Sequence, residues 1–110
     1  MPEIQCKLAY EALRSIDSST FNGAYQNLGT AFVNPIRIFK ITNNSTVDVT
    51  VSYDGGTTDH EYVPAGSFLL IDISSNRVWD AKLVAKVDTQ VSVKGSAGSG
   101  SVYLSTYYAT

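Results

Sequence analysis

Residues Ile36 to Ile73 read IRIFKITNNSTVDVTVSYDGGTTDHEYVPAGSFLLIDI, three apolar runs separated by turn chemistry. The middle run decides the fold class. Val47, Val49, Val51 and Tyr53 alternate with Asp48, Thr50 and Ser52, the period-two pattern of a half-buried strand. Before it, Ile36–Ile41 carries apolar residues at Ile36 and Ile38 and also at Phe39 and Ile41, which predicts an interior strand covered on both faces. Asn43-Asn44-Ser45-Thr46 is the expected turn between these two runs, since asparagine tolerates left-handed backbone angles. Asp54-Gly55-Gly56 opens a polar loop, and Pro64-Ala65-Gly66 precedes the dense run Phe68–Ile71.

The rest of the chain continues the pattern. Ile4 to Asp17 fits a helical face and a strand about equally. No helix of useful length follows, which favours an extended N-terminal arm or edge strand over residues 1–20. Gln26–Phe32, Ala81–Val87, Gln90–Lys94 and Val102–Tyr108 read as further strands. Gly95-Ser96-Ala97-Gly98-Ser99-Gly100 reads as a flexible connection. Roughly eight short strands with turn signals every ten residues or so predict an all-β chain. The expected architecture is a single antiparallel β-sandwich over residues 1–110, jelly-roll or Ig-like.

Composition narrows the function. Charged residues make up only 16% of the 110, against a usual quarter or so, which suits a β protein whose surface is covered by neighbouring subunits. The net charge is -2, and the eight Lys and Arg are scattered singly, so no basic footprint for specific nucleic-acid binding is present. The start of the chain lacks a basic region followed by an apolar core, and no apolar run approaches the length of a membrane span. The expectation is a protein made in a reducing cytoplasm, with no membrane partner. The lone Cys6 cannot form an internal disulfide and reads as a small hydrophobe.

Nothing in the chain reads as a reaction centre. His60 is the only histidine, flanked by Asp59 and Glu61, but consecutive strand residues point to opposite faces and do not converge on a metal. Oxygen atoms of Asp54, Asp59 and Glu61 leave a weak calcium site open, although the loop is not an EF-hand and a solvated hairpin loop explains it. No serine lies in a Gly-x-Ser-x-Gly elbow, and the glycine-rich tract lacks the Gly-Lys-Ser/Thr ending of a phosphate loop. No catalytic, metal-binding or cofactor-binding residue is therefore assigned, and no enzymatic activity is expected. Trp79 and the tyrosines offer a carbohydrate platform, but aromatics in a small sandwich are more often core or interface. In the last strand Tyr103 and Tyr107 fall on one face, with Tyr108 opposite beside Val102 and Leu104.

Three segments carry a family resemblance: Phe39-Lys40-Ile41-Thr42-Asn43-Asn44-Ser45, Val49-Thr50-Val51-Ser52-Tyr53-Asp54-Gly55-Gly56, and Tyr62-Val63-Pro64-Ala65-Gly66-Ser67-Phe68. With the closing Gly98-Ser99-Gly100-Ser101-Val102-Tyr103-Leu104 and the leading Gly23–Thr30, the chain resembles small β-sandwich virion proteins of tailed bacteriophages. The resemblance implies a non-enzymatic structural protein of the phage particle, made in the host bacterial cytoplasm and located in the virion. A capsid decoration or cement protein is the leading form, with a head–tail collar, connector or tail component as the alternative. A carbohydrate-binding module is a further alternative. The implied partners are the major capsid protein or other virion proteins, and a homo-oligomer is expected. The expected contact residues are Ile4, Leu8, Tyr10 and Leu13 in the arm and Tyr103, Tyr107 and Tyr108 at the end.

Overall fold

The computed structural model describes residues 7–73, 77–78, 81–82 and 84–110. Ile4, Cys6, Trp79 and Leu83 lie outside these residues. The described residues form an antiparallel β-sandwich. Its strands are β1 (Leu8–Tyr10), β2 (Arg14–Asp17), β3 (Gln26–Asn27), β4 (Ile38–Ser45), β5 (Val49–Ser52), β6 (Glu61–Val63), β7 (Phe68–Asp72), β8 (Arg77–Val78), β9 (Ala81–Lys82), β10 (Ser92–Lys94) and β11 (Gly100–Ala109). These are more numerous than the roughly eight expected: the N-terminal arm divides into β1 and β2, and the strand expected at Gln26–Phe32 contracts to β3, while β4 and β11 extend beyond the runs that announced them.

One sheet has the order β1-β11-β4-β7, with β2 also pairing β11 beyond β1. The other has the order β3-β10-β5-β6, and β8 pairs β9 separately. The ten-residue β11 organises the first sheet, holding β4 along one side and both β1 and β2 along the other. The core lies between the sheets. Phe39, Ile41, Val102 and Leu104 face inward from the first, and Val49, Val51, Val63 and Val93 from the second. Tyr108 also faces inward and packs against this core, on the opposite side of β11 from Tyr103 and Tyr107. Removing a buried side chain such as Ile41 or Leu104 costs about 2–5 kcal/mol in cores of this kind.

Three local expectations change. The turn expected at Asn43–Thr46 is instead the end of β4, which runs through Ser45. Asn43 is fully buried and braces the two sheets. Its Nδ2 donates to the carbonyls of Val47 (2.8 Å) and Val63 (2.9 Å), and its Oδ1 accepts from the Ser45 hydroxyl (2.5 Å). Ile36 does not share a face with Ile38. It precedes β4, is fully buried, and bridges to Ala85. Finally, Gly95–Gly100 is a close-packed connection. A Cβ on Gly100 would stand 2.2 Å from the Asn44 carbonyl oxygen, and one on Gly98 would stand 2.7 Å from Val47. These glycines allow close backbone approach between β11 and the end of β4.

Candidate functional site

Among the described residues, the outward face of the five-stranded sheet gathers the most exposed large apolar side chains. Strand registry places Tyr10 opposite Tyr107 and Tyr107 opposite Ile38. In the rows beside it, Lys40 lies opposite Leu70, and Tyr103 lies opposite Thr42, which lies opposite Phe68. Side chains alternate across a strand, so all of these point away from the core. Leu8 is 56% exposed, Tyr10 66%, Phe68 61% and Leu70 52%. Scattered exposed apolar residues are ordinary, but a connected set on one sheet face marks a contact surface. Its aromatics are ordered: the rings of Tyr10 and Tyr107 meet edge to face at 5.7 Å. Lys40 lies over the ring of Phe68 at 4.8 Å, so the charge in the middle of the face is held against an apolar side chain.

Of the expected contact residues, Leu8, Tyr10, Tyr103 and Tyr107 come together on this face. Tyr108 does not join them, for the reason given by its inward position. Leu13 is 61% exposed but lies at a bulge, on the rim of a neighbouring cleft. Phe68, Leu70 and Ile38 extend the face and were not singled out from the sequence. The alternation of Phe68–Asp72 carries the signal, because it puts Phe68 and Leu70 on one side and Leu69 and Ile71 on the other.

The bulge between β1 and β2 makes a second feature. Tyr10 pairs with Tyr107, and Arg14 pairs with Leu104. Glu11, Ala12 and Leu13 therefore stand against only Ser105 and Thr106. The extra residue brings Glu11 and Arg14 to the same side of the strand. Their side chains are 7% and 6% exposed and form an ion pair at 2.6 Å. Arg14 also donates to the carbonyls of Thr30 (2.7 Å) and Ala31 (3.1 Å) and to the Thr106 hydroxyl (3.1 Å). Glu11 accepts from the backbone N–H of Val33 (3.1 Å) and Asn34 (2.7 Å) and from the Asn34 amide (2.8 Å). Burial pushes the Glu11 carboxyl up, but hydrogen bonds from Arg14 and Asn34 outweigh this and hold it below the usual carboxylate range. The pair thus staples the edge strand to the 30–34 loop.

Above the staple lies an open cleft of about 570 Å³, with Tyr10, Leu13, Val33 and Tyr108 among its walls. The carboxylate and guanidinium in its floor are engaged with protein partners, which assigns them to anchoring.

The Asp54–Glu61 loop is held by its own polar groups. Asp54 Oδ1 accepts from the Ser52 hydroxyl (2.6 Å) and from the backbone N–H of Thr57 (3.1 Å) and Thr58 (2.9 Å). The bond from Ser52, then those from Thr58, hold its carboxyl well below the usual range. Asp59 accepts from the Tyr25 hydroxyl and pairs with Lys94 at 3.1 Å. Burial, together with Asp59, pushes the Tyr25 hydroxyl up to about 12. His60 stacks on Tyr53 at 5.3 Å, and its Nδ1 accepts from the Tyr53 backbone N–H. Among the described residues, no three His, Cys, Asp or Glu side chains gather where a metal ion would be held. Trp79, on which a carbohydrate platform depends, lies outside the described residues.

No protein-family model matches the chain, and no curated protein matches it. No helix among the described residues is long and apolar enough to cross a membrane.

Proposed function

We propose that the chain is a non-enzymatic structural protein of a tailed-bacteriophage virion that decorates the capsid and reinforces it by adhesion. The observation that carries this reading is the connected apolar face formed by Leu8, Tyr10, Tyr107, Ile38, Leu70 and Phe68. Such a face loses free energy by leaving water. At about 25 cal/mol per Å² of apolar area, covering a few hundred Å² offsets much of the cost of association. The resemblance of residues 23–30, 39–45, 49–56, 62–68 and 98–104 to phage virion proteins supports the major capsid protein as the partner, ahead of other virion proteins. In this reading the protein is made in the bacterial cytoplasm and joins the particle in many copies. The Asn43 brace on β4 and the staple that fixes β2 hold the β11, β4 and β7 part of the face in place, so little ordering entropy is lost there on docking.

Cryo-electron microscopy of whole particles tests the proposal. Density for the sandwich on the head lattice, with the five-stranded sheet facing the capsid subunits, supports it. Density confined to the head–tail junction moves the same adhesive role to the collar, and absence from the particle overturns the reading.

A further inference from the structure

We propose that β1 is an exchangeable arm, which detaches from its own β11 and pairs with the β11 of a second copy. The site is the edge of β11 from Thr106 to Thr110, and its occupant is residues 7–10 of another chain. That segment is already complementary to the edge, since Leu8, Ala9 and Tyr10 pair with Ala109, Tyr108 and Tyr107. Exchange would preserve every one of these contacts and change only which chain supplies them.

The fastening of the N-terminal edge is sharply unequal. β2 is locked by buried Arg14 and its hydrogen bonds to Thr30, Ala31 and Thr106. β1 buries almost nothing: Lys7, Leu8 and Tyr10 are exposed, and Ala9 is half-buried. It is held by backbone pairing, such as the two bonds between Lys7 and Thr110 at 3.0 and 2.9 Å, and by the Tyr10–Tyr107 contact. The ladder loosens between the two strands, where the Glu11 N–H reaches the Thr106 carbonyl at only 3.4 Å. Glu11, fastened to Arg14 and the 30–34 loop, holds the near end of the bulge, so the hinge is the junction between Tyr10 and Glu11 and residues 7–10 are the arm. The inference is independent of what the apolar sheet face binds.

Two single-cysteine chains test it. Lys7 and Thr110 exchange both backbone bonds, so Leu8 and Ala109 form the closer non-hydrogen-bonded pair suited to a cross-strand disulfide. Full-length Leu8→Cys and Ala109→Cys chains, each also carrying Cys6→Ser, are mixed in equal amounts and oxidised slowly. Exchange predicts a mixed disulfide several-fold above the statistical share, located by mass spectrometry at positions 8 and 109. The enrichment is lost when Ala9→Pro, which removes a pairing N–H, is added to the Leu8→Cys chain. A statistical distribution of the three dimers, or an enrichment that survives Ala9→Pro, overturns the proposal. Circular dichroism of each reduced variant, matching the parent chain, establishes that the folded sandwich is being tested.

Discussion

The carboxylate of Glu11 and the guanidinium of Arg14 lie 2.6 Å apart on the same side of an edge strand, although they stand three positions apart in sequence. An unbroken strand would place them on opposite faces. The bulge that reunites them also creates the anchor for the 30–34 loop. Removing one member of a buried pair strands the other charge, at a cost of about 3–5 kcal/mol. Arg14→Met is expected to lose that much in urea unfolding, and adding Glu11→Gln to recover part of it. A loss below about 1 kcal/mol for Arg14→Met, the range of a surface pair, contradicts the staple.

Stability should depend on pH at both ends. Glu11 titrates lower in the folded chain than in the unfolded one, so its contribution is present above the ordinary carboxylate value of about 4.3 and lost as pH falls through the folded-state value. Asp17, Asp48, Asp54 and Asp59 are shifted the same way and act in the same direction. Tyr25 is raised to about 12, so its contribution is fully present below about 10, the unfolded value, and is lost as pH rises from there through about 12. Thermal unfolding across pH should show a plateau between these limits. Glu11→Gln should flatten the acid slope, and an unchanged slope would refute the assigned role.

The Asn43 brace predicts a contrast between adjacent asparagines. Asn43→Ala takes the amide donor from the Val63 carbonyl and the oxygen acceptor from the Ser45 N–H, while the Ser45 hydroxyl and the Val47 carbonyl keep each other at 3.1 Å, and stranded buried groups cost about 1–3 kcal/mol each. The expected loss is about 3 kcal/mol. Asn44 is exposed, and Asn44→Ala is expected to stay within about 0.5 kcal/mol. Chemical denaturation of the two variants measures the difference directly, and equal losses would refute the brace.

Two glycines separate backbone strain from steric clash. Gly55 has φ +76° with open space around its missing Cβ, whereas Gly100 has φ +88° with the Asn44 carbonyl oxygen 2.2 Å from that position. Gly55→Ala should cost about 1 kcal/mol from the left-handed backbone alone. Gly100→Ala must also push β11 away from β4, and its melting temperature should fall several degrees further. Equal shifts would mean that the close approach is not maintained in solution.

The fold class was legible because Val49–Val51 and Val102–Leu104 alternate cleanly and the turns are rich in Gly, Asn and Asp. Part of the outward face of the first sheet was legible too, since alternation in the last strand separates Tyr103 and Tyr107 from Tyr108. What the sequence hid depends on long-range placement. Asn43-Asn44-Ser45 has turn composition, but Asn43 is retained in a strand because the opposite sheet supplies carbonyls for its amide. Arg14 reads as a solitary cation, since a one-residue bulge leaves no compositional mark. The glycine-rich tract looks like a linker because composition does not distinguish freedom from close approach.

The central claim is that the outward face of the β1-β11-β4-β7 sheet attaches the protein to the virion shell. Its most direct test is co-sedimentation of purified protein with phage heads that lack it, comparing the parent chain with a Tyr10→Ser, Phe68→Ser, Leu70→Ser variant. These side chains are exposed, so the variant should unfold at nearly the parent's temperature. The account predicts saturable binding by the parent and a loss of at least tenfold in affinity for the variant. Equal binding by the two proteins, or no binding by the parent, would contradict it.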